Sequence, residues 1–188
     1  MKKYIQILKN DDKKHRKSKN YSWILLITII SFVISFAFSF IAETILPGVN
    51  ISLGIILILI FILIGVIFDM IGLSVASANE APFHSMASQK VKGATLAIKM
   101  IKNASKVSSF CNDVIGDICG IISGSAGLTV AHKISTYFNI NPLTTTLIVT
   151  ALIAAMTIGG KACGKNIALN KSNIILYETS KILSIFKK

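Results

Sequence analysis

The sequence predicts an all-α, polytopic integral membrane protein with about four transmembrane helices and a cytoplasmic amphipathic interfacial helix. Hydrophobic residues make up 53% of the 188 residues and charged residues only 15%, whereas a typical soluble domain carries about 25% charged residues. The mean hydropathy is +0.69, yet the net charge is +12. This composition excludes a disordered chain, and three cysteines are too few for a disulfide scaffold.

The first two membrane spans are two uncharged runs separated by a Pro-Gly-Val-Asn turn. No charged residue lies between Lys19 and Glu43, or between Glu43 and Asp69. Because about 20 apolar residues suffice to cross a bilayer, spans are predicted at about residues 23–46 and 51–77. Residues 1–20 hold eight Lys and Arg and are predicted to form a basic cytoplasmic tail. The apolar run that follows is too long for the core of a cleaved signal peptide.

Two further spans are predicted at about residues 110–131 and 142–160. The third is rich in Gly and Ser and contains Asp113 and Asp117. The fourth follows Asn141 and begins with Pro142, a residue favoured in the first turn of a helix. The four spans would form one transmembrane domain, residues 21–170, followed by a cytoplasmic C-terminal segment, residues 171–188.

The distribution of basic residues predicts the orientation in the membrane. With four spans, 19 of the 20 Lys and Arg residues fall on one side. The positive-inside rule makes that side cytoplasmic, so both termini are expected in the cytoplasm. Lys far outnumbers Arg, and Ile and Asn are abundant, which indicates a bacterial source and hence the inner membrane. Nucleic-acid binding is disfavoured because the sequence contains no nucleic-acid-binding motif.

An amphipathic helix is predicted at about residues 91–107, between the second and third spans. Its apolar residues occupy one side, and its basic residues occupy a narrow arc on the other. Such a helix suits the anionic headgroups of the cytoplasmic leaflet. A passive link between two spans is favoured over a moving gate. The basic residues expected to contact lipid are Lys92, Lys99, Lys102 and Lys106.

The candidate functional residues are polar side chains within or beside the spans. Asp113 and Asp117 lie four residues apart and so share one helix face, next to Asn112. Ser74 and Ser77 lie at the end of the second span. All these ligands are hard oxygens, which suit Mg²⁺, Ca²⁺ or Mn²⁺. Alternatively, the aspartates are neutral, or they pair with Lys161 or a backbone donor.

The third span also carries glycines at every fourth position. Gly116, Gly120 and Gly124 would let another helix approach closely. Packing within the chain ranks above contact between two chains as the explanation. The sequence contains no nucleophile–base pair, phosphate-binding loop or metalloprotease helix, so an enzyme is not predicted, and neither is a resident cofactor.

Residues 68 to about 169 resemble the transmembrane domain of the CorB/CorC/CNNM magnesium transporters. The resemblance lies in GLSVASA (residues 72–78), in the Ala-rich amphipathic helix, in SFCN (residues 109–112) and in GKACGK (residues 160–165). Where that family has Gly-Glu-x-x-Pro-Lys, this chain carries Lys161 in place of Glu and Gly164 in place of Pro. The resemblance implies a homodimer that binds Mg²⁺ through Asn112 first, with Ser74 and Ser77 next.

Two functions are therefore predicted. The leading one is a transporter or binding protein for a divalent cation, with Mg²⁺ first, held by Asn112, Asp113 and Asp117 with help from Ser74 and Ser77. The alternative is a non-transporting membrane interaction or assembly subunit. An enzyme that acts on lipid is a distant third.

Overall fold

The structure is a computed structural model that describes residues 21–186. Every regular element in this range is helical, and four of its helices are long and apolar enough to cross a membrane. The predicted all-α, multi-pass membrane fold is confirmed. The predicted basic tail at residues 1–20 and the last two residues lie outside the described range.

The first helix and the turn after it are built from an uncharged run. Helix α1 (Tyr21–Ile45) leads into a short 3-10 turn (Leu46–Gly48). Thr28, Ser31 and Thr44 donate their hydroxyl hydrogens to carbonyls four residues earlier. These bonds satisfy polar side chains that face an apolar solvent.

Helix α2 (Ile51–Ser77) is the central helix, and it packs against most other elements. Three of its glycines, Gly54, Gly65 and Gly72, are buried. A Cβ added at Gly54 would meet Val130, and one at Gly65 would meet Cys119. Residue numbers rise along α2 as they fall along the third span, so these contacts show that the two helices run antiparallel.

The third span is a continuous but irregular helix. Helix α5 (Ala104–Ser109) passes into a π-helical segment (Phe110–Gly116) and then into α6 (Asp117–Phe138). Asn139 ends α6 in the left-handed conformation, with φ at 54°. The helix extends beyond the predicted span, residues 110–131, at both ends, because Gly, Ser and Asp lower the hydropathy of this segment without interrupting its helix.

Helix α7 (Pro142–Asn170) is the fourth span, and α8 (Ser172–Phe186) follows it. The side chain of Asn141 accepts a hydrogen bond from the Leu143 N–H at 2.9 Å, which caps the start of α7. The helix continues ten residues beyond the predicted end of the span at residue 160. A run of apolar residues ends at the first charge, but the helix continues.

Two short helices, α3 (Ala81–Ser88) and α4 (Ala94–Lys102), connect α2 to the third span. The predicted amphipathic helix at residues 91–107 was too long. Gly93 before it has a φ of +88°, and Asn103 after it donates its backbone N–H to the carbonyls of Lys99 and Met100 and separates α4 from α5. Ala97 and Met100 of α4 are buried against protein.

Helices α3, α4 and α8 form a unit, the cap, on the end of α2. Its core contains Val75, Phe83, Ala97, Met100 and Leu176. The Asn79 N–H donates to Asn173 Oδ1 of α8 at 2.9 Å. At the opposite end, called the hairpin end, Lys133 donates to the carbonyls of Leu46, at 2.8 Å, and Val49. The bundle is thus closed by the cap at one end and by a lysine-bound turn at the other.

Candidate functional site

Asn112 lies in the π-helical segment and faces α2. Its amide nitrogen donates to Ser108 Oγ at 3.4 Å, whereas its Oδ1 is buried and has no hydrogen-bond partner. A Cβ added at Gly72 would lie only 2.0 Å from this oxygen. Gly72 therefore provides the space that Asn112 occupies. π-Helical turns often occur at functional sites, so this contact is a candidate site on geometric grounds.

Ser74 and Ser77 have different surroundings, although they are three residues apart on α2. Ser74 is 0% exposed, and its hydroxyl has no hydrogen-bond partner. Ser77 is exposed, and its hydroxyl donates to the Leu73 carbonyl at 2.8 Å. Only Ser74 offers an unused buried oxygen.

The two predicted aspartates of the third span are both exposed. Asp117 contacts Lys161 of α7, with 3.5 Å between its Oδ1 and Nζ. Lys161 also lies 3.4 Å from Asp69 Oδ1 of α2. The alternative in which an aspartate pairs with Lys161 therefore holds for Asp117. Asp69, Asp117 and Lys161 form an ion-pair trio that joins three spans.

The trio is only partly shielded from solvent. The side chains of Asp69 and Lys161 are 27% and 26% exposed, whereas that of Asp117 is 66% exposed. Gly116 lies beside the first two, since a Cβ there would be 3.1 Å from Asp69 Oδ1. The absence of a side chain at Gly116 thus allows the two charges to meet between the helices.

The trio lies near one boundary of the membrane. Asp69 follows the start of α2 by 18 residues, and Lys161 follows the start of α7 by 19 residues. At a rise of about 1.5 Å per residue, these positions are about 27 and 29 Å from the hairpin end. A bilayer's hydrocarbon core is about 30 Å thick. The charges therefore reach the edge of the hydrocarbon core, with the cap beyond them.

Sequence reasoning placed Asp69 near this region but did not recognise its pairing with Lys161. The signal was present in the sequence. Asp69 and Lys161 are the first charges after uncharged runs of similar length that both start at the hairpin end. Because α2 and α7 run parallel from the hairpin end, their equal depth brings the two side chains together.

The five predicted ligands do not form a single acidic metal centre. Within residues 21–186, no group of three or more His, Cys, Asp or Glu side chains could hold a metal ion. Two of the five residues, Asn112 and Ser74, carry buried oxygens without partners. The remaining three are exposed, and Asp117 and Ser77 already have partners within the chain.

The glycines of the third span also differ from one another. Gly116 packs within the chain, whereas a Cβ at Gly120 or Gly124 would have no atom within 4 Å. Packing within the chain therefore explains only the first of the three glycines.

Comparison with known proteins gives no family for this chain. No protein-family model matches it, and no curated protein or solved structure does so either.

Proposed function

We propose that the chain is a multi-pass membrane protein that binds a divalent cation, with Mg²⁺ as the first candidate, through Asn112 Oδ1. The observation that carries the proposal is that this oxygen is buried against α2 without a hydrogen-bond partner. Leaving such a group unpaired costs about 1–3 kcal/mol, and in native proteins it calls for an explanation such as a water or an ion. Amide and hydroxyl oxygens are hard ligands, which suit Mg²⁺ and Ca²⁺.

A carboxylate is needed to balance the charge of the ion. Asp69 lies three residues before Gly72, so both residues are on the face of α2 that meets the π-helical segment. Lys161 holds Asp69 in the absence of an ion. Cation binding would therefore compete with the ammonium group of Lys161 for this carboxylate. We infer that Asp117 holds Lys161 and is not itself a ligand.

The distribution of charge supports a cytoplasmic position for the cap. Of the Lys residues in the described range, only Lys133 lies at the hairpin end. Under the positive-inside rule, the cap and both termini face the cytoplasm. The resemblance to magnesium transporters supports a role in transport across the cell membrane. This role would be tested by Mg²⁺ flux into liposomes.

The test of cation binding compares Asn112 with Ser77, a predicted ligand whose hydroxyl already has a partner within the chain. Mg²⁺ should raise the thermal unfolding midpoint of the detergent-solubilised protein, because a ligand at 100 times its Kd adds about 2.7 kcal/mol. Asn112→Ala should remove this increase, whereas Ser77→Ala should retain it.

Two outcomes would contradict the proposal. One is the absence of any Mg²⁺ effect on the wild-type protein. The other is a Mg²⁺ effect in Asn112→Ala as large as in the wild-type protein. Asp117→Asn is expected to keep the Mg²⁺ effect. If it abolishes the effect, Asp117 is a ligand after all.

The second candidate is a membrane interaction or assembly subunit, which the open face at Gly120 and Gly124 favours. Such small residues let a second helix approach closely. Gly120→Leu and Gly124→Leu should then dissociate a complex seen by size-exclusion chromatography with light scattering. Gly159→Leu is the control, because a Cβ at Gly159 also has nothing within 4 Å. An unchanged mass in all variants would contradict this candidate.

A further inference from the structure

An apolar cavity of about 300 Å³ lies between α1 and the rest of the bundle. Ile34 and Phe38 line it from α1, and Phe61 lines it from α2. The third span contributes residues from Phe110 to Ile122. No part of the span Trp23–Ile45 is buried, so α1 covers the cavity without filling it.

The cavity can be reached from the bilayer. Phe38 and Phe110, which both line it, are 45% and 38% exposed. An α-helix with its side chains is about 10 Å across, so a cavity of this volume cannot hold one. A flexible hydrocarbon chain fits its size and its apolar lining.

A basic and aromatic pair lies beyond one end of the cavity. The ammonium group of Lys106 is 4.8 Å from the centre of the Trp23 ring. Lys106 is exposed and forms no salt bridge with any residue of the described range. Its positive charge is therefore available to an anion from outside the protein.

The spacing of Lys106 from the cavity matches the size of a lipid. Phe110 and Ile122 are 4 and 16 residues beyond Lys106, which corresponds to about 6 and 24 Å along a helix. Half of the hydrocarbon core is about 15 Å thick. A headgroup at Lys106 would thus place an acyl chain of the same leaflet along the cavity.

We propose that a phospholipid with an anionic headgroup binds between α1 and the third span. Its headgroup contacts Lys106 beside Trp23, and one of its acyl chains occupies the cavity. Charge complementarity selects an anionic lipid over a zwitterionic one, because Lys106 is, within residues 21–186, the basic side chain that contacts Trp23 at this end of the cavity. This site is separate from the proposed cation site, so either proposal can fail alone.

Trp23 is the only tryptophan of the chain and provides a direct probe. The purified protein is reconstituted in phosphatidylcholine vesicles that contain a small fraction of lipid brominated near the glycerol end of its acyl chains. Brominated phosphatidylglycerol should quench Trp23 with about fivefold preference over brominated phosphatidylcholine, as expected for one basic residue. Lys106→Gln should abolish the preference, and Lys106→Arg should restore it.

Matched controls separate the headgroup from the acyl chain. Lys165→Gln, an exposed lysine on α7, should keep the preference. Ile34→Phe/Ile115→Phe narrows the cavity and should reduce quenching by phosphatidylglycerol. Val33→Phe/Ile121→Phe changes exposed neighbours on the same two helices and should not. An unchanged preference in Lys106→Gln would overturn the headgroup contact, and unchanged quenching in the cavity variant would overturn the acyl-chain site.

Discussion

Lys161 is the residue that connects three spans through charge. It lies between Asp69 and Asp117, at 3.4 and 3.5 Å. One ammonium group and two carboxylates leave a net negative charge at the boundary of the hydrocarbon core. Any ion that binds near Asp69 must therefore contend with a cation that belongs to the protein.

The two carboxylates should differ in their contribution to stability. Asp69→Asn should lower the free energy of unfolding by about 1–2 kcal/mol, between the values for surface and buried ion pairs. Asp117→Asn should have an effect of about 0–1 kcal/mol, because this side chain is mostly exposed. Unfolding of both variants in the same detergent would measure the difference. A larger effect for Asp117→Asn would mean that the exposed carboxylate is the main partner of Lys161.

Some features of the candidate site could be predicted from the sequence, and others could not. Asn112 and Ser74 were identified from short motifs, and these are the residues with unpaired buried oxygens. Asp113 and Asp117 were placed together by counting four residues along a regular helix. The π-helical segment between residues 110 and 116 contains an extra residue per turn, which rotates its side chains relative to α6. A sequence pattern cannot show where that extra residue is accommodated.

At the scale of elements, glycines set how closely α2 and the third span approach. Gly54, Gly65 and Gly72 face Val130, Cys119 and Asn112 in turn along the antiparallel pair. Van der Waals packing is the main attraction between helices in lipid, so the fit along this line determines the stability of the pair.

Gly72 and Gly120 should respond in opposite directions to an added methyl group. Gly72→Ala should destabilise the protein by about 1–3 kcal/mol, because its Cβ would collide with Asn112 and force the helices apart. Gly120→Ala should be neutral or stabilise by up to about 1 kcal/mol, since the new methyl group meets nothing and alanine is the better helix former. Thermal unfolding in detergent compares the two. Equal destabilisation would show that Gly120 is also in contact.

The boundaries of elements were the least predictable feature of the fold. The start of the second span and the start of the fourth agree with the sequence, because proline, asparagine and glycine mark both turns. The helices of the third and fourth spans extend beyond the predicted ends of these spans. Hydropathy reports where lipid contact stops, whereas helical hydrogen bonding continues past that point, toward the cap in α7 and at the hairpin end in α6.

At the scale of the whole molecule, two apolar cores lie in two different solvents. The bundle core contains Ile58, Ile62 and Val130, and the cap core contains Phe83 and Leu176. In lipid, separating apolar helices exposes them to a solvent that is equally apolar. The cap lies beyond the hydrocarbon boundary, so water exclusion stabilises it. The bundle is therefore stabilised mainly by van der Waals packing, whereas the cap is stabilised by the exclusion of water.

The cap should therefore unfold first in urea. Leu176→Ala should weaken it by about 2–5 kcal/mol, because Leu176 is fully buried. Leu183→Ala, which is at an exposed position of α8, should change it by less than about 0.5 kcal/mol. Hydrogen exchange in residues 172–186, followed against urea concentration, measures this transition. Loss of protection in α6 at the same urea concentration would show that cap and bundle unfold together.

The overall architecture was predictable because membranes impose a strong constraint on sequence. Four uncharged or weakly charged runs are sufficient to indicate four helices, and the lysines mark one side. The cap was not predictable as a packed unit. Its helices are short, and the amphipathic pattern of α4 is the same whether its apolar face meets lipid or protein.

The three cysteines of the chain differ in access. Cys111 and Cys119 are buried in the third span, whereas Cys163 is exposed on α7, two residues beyond Lys161. A membrane-impermeant maleimide should thus modify the natural chain at one position, beside the ion-pair trio. Applied to intact cells and to inverted vesicles, this reagent would report the sidedness of the protein without any engineered cysteine.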